Sequence, residues 1–348
     1  VQIIHVSSFP VTRKSPNLHA VSIKLSNGLT RNGHNVLNFS DRDVARMSAF
    51  GYRRLGTRHA NRVLREICEM HQPDLLLLGH ADVISPETVA AIRHDLPALR
   101  VIQWNVDPLF EPDNVARINA KLDVVDATLI STAGAELEQF RRPGHLVGFL
   151  PNPVDFSIET ARNHERADLP FDVFYACRNP AHPPRRVFGR DWNMNEFCAQ
   201  LQQLCPELRM TLPGIAGRPP LKGHEFQQSM CEAGIGLNIS RRPDSWLYSS
   251  DRLAQLAGNG MVVAMERGTG YETLFTPEQM LFASSLEELA TRLRTLAADP
   301  AQRMAMATAG RERYHELFNE RIVARYIEKV AAGRVDPRDY EWPTLLPG

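Results

Sequence analysis

Cysteine is scarce in this chain. Its five residues, Cys68, Cys177, Cys198, Cys205 and Cys231, are odd in number, widely spaced and never paired as Cys-x-x-Cys. That argues against a disulfide framework or a structural zinc site and favours a reducing, cytoplasmic setting. Long apolar runs are also missing. Val1–Val6 is followed at once by polar residues and Pro10, so it reads as a first β-strand rather than a signal peptide or a spanning helix. The expectation is a soluble protein, at most peripheral to an inner membrane. An excess of one charge is absent too: 40 basic and 40 acidic residues leave a formal net charge of zero. No global field recommends a nucleic-acid partner, and none is expected. There is no Gly-x-x-x-x-Gly-Lys-Ser/Thr, no Gly-x-Gly-x-x-Gly after the first strand and no His-Glu-x-x-His. A P-loop kinase, a simple dehydrogenase and a zinc protease all lose ground.

What is present is periodic. The 348 residues, 43% hydrophobic and 23% charged, suffice for two α/β domains of about 150 to 180 residues each. Short apolar runs at Gln2–Ser7, Asn35–Phe39, Asp74–Gly79, Arg100–Trp104, Ala127–Ser131 and Leu146–Leu150 alternate with amphipathic stretches near Leu18–Asn32, His59–His71, Pro86–Asp95, Asp113–Lys121 and Gly134–Phe140. That is the mark of βαβ units and a parallel sheet. Residues 151–170, rich in proline and charge, read as an inter-domain linker. The alternation resumes with strands at Asp172–Ala176, Arg209–Pro213, Gly236–Ser240, Met261–Met265 and Met280–Ala283. Helices follow from Ser285 to about Ala332, broken at Asp299-Pro300. The expected division is a first domain at 1–150, a linker at 151–170, a second domain at 171–332 and an extended tail at 333–348.

Polar residues bunch where apolar strands end. His80 and Asp82 follow Asp74–Gly79, and Asn105 and Asp107 follow the next strand. Ligands bind at the carboxyl ends of open α/β sheets, and a His with a carboxylate there can take a proton from a hydroxyl. Asp107 and His80 are therefore candidate general bases; Asp82 and Asp107 could instead serve as turn or helix caps before Pro86 and Pro108. In the second half, Asn238, Tyr248, Ser249, Ser250, Asp251 and Arg252 run from a strand into a helix that ends near Gly258-Asn-Gly260. Free N–H groups at that helix start, with Arg252, would suit a diphosphate. Asp41-Arg-Asp43 has the form of a metal-binding Asp-x-Asp but lies after only the second strand and reads as a turn. Arg185 and Arg186 read as solvated loop charges.

Several stretches resemble group 1 glycosyltransferases of the two-Rossmann-domain (GT-B) type. Gly33-His34-Asn-Val resembles their first helix-to-strand turn, where Gly33 caps and His34 sits in the turn. Pro151-Asn152-Pro153-Val154-Asp155 resembles their hinge. Arg252-Leu-Ala-Gln255-Leu-Ala-Gly258-Asn-Gly260 resembles the donor-domain core of the CgeB-like branch, with Gln255 where a glutamate is usual. The resemblance implies an α/β fold of two Rossmann-like parallel-sheet domains facing across a cleft, with a helical C-terminal tail. It implies a nucleotide-sugar donor on the second domain, bound by Arg178, Asn179, Asn238, Tyr248, Ser249, Ser250, Arg252 and Gln255. It also implies a glycan or lipid-linked acceptor on the first, in cell-surface polysaccharide or lipopolysaccharide assembly. His19, in the region after the first strand, becomes a third base candidate. No metal or other cofactor is expected. The alternatives are a scaffold that binds nucleotide without turnover, kept open by Gln255, and a sugar-nucleotide epimerase.

Overall fold

The computed structural model of the protein describes residues 1–12 and 20–347. The chain forms two compact units, Val1–Pro153 together with Asn319–Gly348, and Val154–Phe318.

The first unit runs β1 (Gln2–Ser7), α1 (Val21–Arg31), β2 (Asn35–Ser40), α2 (Asp41–Met47), α3 (Thr57–His71), β3 (Leu75–Gly79), α4 (Pro86–Asp95), β4 (Arg100–Asn105), α5 (Pro112–Asn119), β5 (Ala127–Ile130) and β6 (Leu146–Phe149). Its strands form one parallel sheet in the order β2-β1-β3-β4-β5-β6. The four leucines of β3 are buried on both faces, which only a sheet covered by helices on both sides can satisfy. α3 contributes Ala60, Leu64 and Cys68, spaced by four on one stripe. α1 ends where Gly33 takes a φ of +91° and the His34 N–H donates to the Leu29 carbonyl, as its sequence predicts. One polar chain crosses the core: Trp104 Nε1 donates to His5 Nε2 at 3.0 Å, and His5 Nδ1 meets the Ser26 hydroxyl at 2.8 Å. Burial pulls the His5 imidazole down to about 3, so it is neutral.

The second unit runs β7 (Phe171–Phe174), β8 (Arg185–Val187), β9 (Arg190–Trp192), α6 (Met194–Leu204), β10 (Met210–Thr211), α7 (Gly223–Met230), β11 (Ala233–Leu237), α8 (Arg252–Gly258), β12 (Val262–Glu266), β13 (Leu281–Ala283), α9 (Leu286–Ala298) and α10 (Pro300–Phe318). Its parallel sheet has the order β10-β7-β11-β12-β13, and β8 and β9 form a separate hairpin. Strand order therefore reverses between β7 and β11 here, and between β1 and β3 in the first unit. Such switch points open a crevice at the carboxyl ends of the strands.

Two boundaries differ from expectation. α11 (Glu320–Ala331) does not belong with the second unit but packs on α1, burying Val323, Ala324 and Ile327. Gly28 permits this, because a Cβ there would lie 2.0 Å from the Glu320 carbonyl oxygen. The tail after it, expected as an extended arm, is tied to β6: the Phe149 N–H donates to the Thr344 carbonyl and Trp342 is buried beside Phe149 and Tyr326. Likewise the stretch from Val154 to Pro170 is no linker. Asn163 Nδ2 donates to the Met230 and Ala233 carbonyls, both at 2.7 Å, and His164 lies against Gly260. Buried polar groups with specific partners are what made this segment look unstructured in sequence.

Among the described residues, no helix is long and apolar enough to cross a membrane.

Candidate functional sites

In the first unit, the carboxyl ends of β3 and β4 bring His80, Asp82, Asn105 and Asp107 together. His80 follows β3 with a φ of +49°, a conformation that side-chain-bearing residues rarely adopt. Its Nε2 accepts the Val106 N–H at 3.3 Å, and its Nδ1 lies 3.6 Å from the Asp107 carboxylate. Burial holds His80 below the usual imidazole range, against the opposing pull of Asp107 and Asp82. Asp107 is the outer member, with its side chain half exposed. Asn105 and Asn114 bond reciprocally through their amides, and Asn105 Oδ1 also accepts the Asp107 N–H at 2.9 Å. Neither aspartate caps a helix: Ser85 caps α4, and Asp82 pairs with Arg42 and faces Arg117 at 3.9 Å.

His80, Asp82 and Asn105 line a concavity of about 300 Å³ whose wall also includes Trp104, Arg117 and Lys121. Lys121 is 8% exposed and forms no ion pair among the described residues; burial lowers its ammonium, with Asp82 and Asp41 opposing. Asp41, buried at the start of α2, is pushed up to about 6 by burial although it accepts the Val83 N–H. Asp43 binds the Val11 and Thr12 N–H groups and Arg46; the Asp-x-Asp stretch, expected as a turn, instead opens helix α2 and ties the loop after β1 to it. His34 faces Glu328 of α11 at 3.1 Å, a structural contact. His19 lies outside the described residues.

In the second unit the switch point is occupied by cations. Arg252 donates to the Ile239 carbonyl at 3.0 Å and its guanidinium lies 5.4 Å over the ring of Tyr175. Arg185, on β8, donates to the same Ile239 oxygen at 3.1 Å. Neither has a carboxylate partner among the described residues, and burial holds the Arg252 guanidinium below its usual value. The solvated reading of Arg185 is therefore overturned: the hairpin β8–β9 folds it inward, with the Arg186 N–H bonded to the Arg241 carbonyl. Nothing in a Pro-Arg-Arg sequence distinguishes the inward arginine from its outward neighbour.

Beside this pair lies a concavity of about 390 Å³ lined by Phe188, Asn238, Ser240, Met265, Glu266 and Thr269, among others. Asn238 is 3% exposed, and neither atom of its amide has a hydrogen-bond partner among the described residues. Glu266 accepts the Phe188 N–H at 3.0 Å and is raised by burial. Glu266 was not among the candidates from sequence; its place at the carboxyl end of β12 was the signal that could have found it.

The remaining candidates spread. Arg178 and Asn179 are exposed after β7. Ser249 is buried with its hydroxyl accepting from Tyr271, and Tyr248 is buried beside it. Gln255 Nε2 donates to Asp251 at 2.8 Å. α8 has only seven residues, and the Asp251 side chain makes no cap bond at its start.

Residues 176–329 match the family described as glycosyl transferase-like. No protein with a curated description matches the chain. Among solved structures, an α-glucosyltransferase in complex with UDP and a 13-mer DNA containing an HMU base is similar at a TM-score of 0.67 and 11% identity, over 95% of this chain and 99% of that one. Sucrose-phosphate synthase from Thermosynechococcus elongatus is similar at 0.58 and 14%, over 95% and 98%. Anabaena HepE in complex with UDP and glucose is similar at 0.56 and 13%, over 95% and 99%. At such identities the likeness establishes the fold, which is GT-B.

Proposed function

We propose that this GT-B protein, whose residues 176–329 match the glycosyl transferase-like family, transfers a sugar from a nucleoside-diphosphate donor to a hydroxyl of a glycan or lipid-linked acceptor. The observation that carries the donor assignment is the convergence of Arg185 and Arg252 on the Ile239 carbonyl without a carboxylate between them. Two half-buried like charges held together repel, and a diphosphate would relieve that repulsion. As the bond between the sugar C1 and the diphosphate oxygen breaks, negative charge grows on the leaving group. Both guanidiniums are already oriented to receive it, so no metal ion is required for that task. The unpartnered amide of Asn238 and the carboxyl of Glu266 would meet sugar hydroxyls in the adjoining concavity. Arg178, exposed after β7, is a further phosphate contact.

On the acceptor side, Asp107 takes the hydroxyl proton if the anomeric centre inverts, with His80 behind it as a positioning residue. Retention would not need this base. The setting that fits such an enzyme is cell-surface polysaccharide or lipopolysaccharide assembly at the cytoplasmic side.

The test is a thermal-shift and calorimetric screen of UDP, GDP, ADP and CMP with their common sugars, run with EDTA. UDP comes first because UDP is bound in two of the similar structures. One nucleotide binding tightly, and losing that binding in Arg252→Met, supports the reading. No binding at millimolar concentration overturns it. Binding without turnover would instead mark a scaffold, and donor conversion without acceptor an epimerase.

A further inference from the structure

The segment that joins α2 to α3 shows a local bias that the chain as a whole does not. From Val44 to Arg65 there are six arginines and no Asp or Glu, in a protein of zero net charge. Arg46 pairs with Asp43, Arg62 with Glu66 and Arg65 with Asp95. Arg53, Arg54 and Arg58 are exposed and have no carboxylate partner among the described residues.

Within the same stretch four large apolar side chains face outward: Met47 is 68% exposed, Phe50 100%, Tyr52 68% and Leu55 76%. Scattered exposed apolar residues are ordinary, but four within nine positions are not. The backbone beneath them is held rather than loose. The Gly51 N–H donates to the Arg46 carbonyl at 2.8 Å and the Tyr52 N–H to the Ala49 carbonyl at 2.9 Å. Gly56 sits so close to Ala45 that a Cβ would meet its carbonyl oxygen at 1.8 Å. Ala49 and Gly56 thus point inward while the large side chains point out. Phe50 does so with a φ of +51°, an unfavourable conformation that leaves its ring wholly in solvent.

We propose that this α2–α3 segment is a docking surface for the anionic face of a lipid bilayer, with Met47, Phe50, Tyr52 and Leu55 entering the interface and Arg53, Arg54 and Arg58 meeting lipid phosphates. Charge complementarity selects the occupant: three unpaired guanidiniums beside aliphatic and aromatic tips fit a surface that is anionic outside and apolar just beneath. Nucleic acid would use the arginines and the aromatic rings but leave Met47 and Leu55 in water. The inference does not depend on the donor assignment, since the surface lies on the first unit away from Arg185 and Arg252 in the chain.

The test is flotation of the full chain with vesicles of phosphatidylcholine alone and of phosphatidylcholine with phosphatidylglycerol, at low and high salt. Binding is expected only to the anionic vesicles and weaker at high salt. A triple Arg53→Gln, Arg54→Gln, Arg58→Gln variant and a double Phe50→Ser, Leu55→Ser variant should each lose at least about tenfold of it. All five positions are exposed, so the melting temperature should stay near that of the parent. Should either variant unfold, Phe50→Trp reads the same contact: its added emission shifts to shorter wavelength on anionic vesicles. No binding to anionic vesicles, equal binding to neutral ones, or an unshifted emission spectrum in the Phe50→Trp variant overturns the proposal. So does retention of binding by both folded variants, or binding to a single-stranded oligonucleotide without binding to vesicles.

Discussion

Arg185 and Arg252 come from positions 67 residues apart and donate to one backbone oxygen, that of Ile239, at 3.1 and 3.0 Å. With Tyr175 beneath Arg252 and no carboxylate among the described residues neutralising either group, they form an unpaired dication at the switch point of the second sheet. Arg185→Met and Arg252→Met should each weaken nucleoside-diphosphate binding by about ten- to a hundredfold, the scale of a lost charge-assisted bond. The unliganded melting temperature should hold or rise as the repulsion goes. Calorimetry with each folded variant measures this, and unchanged affinity in both removes the site. Lysine at position 252 should not restore binding, because a point charge cannot reproduce the planar fork.

The pairing of Asp107 with His80 across 3.6 Å separates their roles. If the reaction inverts, Asp107→Asn should lower turnover by about a hundredfold or more. His80→Gln should lower kcat less and leave donor affinity intact. Slow hydrolysis of the donor by water reads the same base when the acceptor is not in hand. Turnover within about twofold of the parent in Asp107→Asn excludes it as base.

Asp41 is buried and titrates near 6 in the fold against an ordinary 3.8. Between those values the folded chain binds the extra proton, so this group's contribution to stability falls as pH rises through 6. Asp41→Asn should stabilise the protein at neutral pH by up to about 3 kcal/mol and have little effect below pH 4. Urea melts at pH 7.5 and pH 4 compare the two; an equal effect at both would remove the burial argument.

His315 behaves with the opposite sign. It stacks on Phe156 at 3.8 Å, and burial lowers it to about 3. Below pH 6.5 the unfolded chain takes up a proton that the folded chain refuses, so stability is lost as pH falls from 6.5 toward 3. His315→Gln should flatten the pH dependence of unfolding in that window by about 1.4 kcal/mol per pH unit. A slope equal to the parent's would contradict this.

Gly28 meets the Glu320 backbone where α1 and α11 cross. Gly28→Ala should destabilise the protein by about 3 kcal/mol, the upper range for overpacking. At Gly33 the side chain would find open space, so only the left-handed φ penalty of about 1 kcal/mol applies. Chemical denaturation of both variants gives the ranking, and its reversal would place α11 elsewhere.

Much of the framework was legible beforehand. Strands β1 to β6 begin and end within a residue or so of the predicted runs, because apolar runs bounded by polar residues have few alternatives. The apolar run Gly236–Ser240 begins and ends three residues later than β11, since Ile239 continues the apolar pattern past the end of the strand. The hairpin at Arg185–Trp192 leaves no periodic signal in the sequence because it is short, charged and preceded by a proline-rich turn. In the first unit the grouping of His80, Asp82, Asn105 and Asp107 followed from one topological rule. In the second, Ser249 satisfied a cap-residue pattern and yet lies inside the fold.

The sequence by itself determined two parallel α/β sheets and the strand ends at which chemistry gathers, because burial periodicity and turn residues are local properties. Tertiary structure alone decided that Arg185 turns inward to share an acceptor with Arg252, that Glu266 joins Asn238, and that α11 returns to the first unit. Each of those depends on contacts between residues far apart in the chain, where the deciding energies are packing and desolvation rather than local preference.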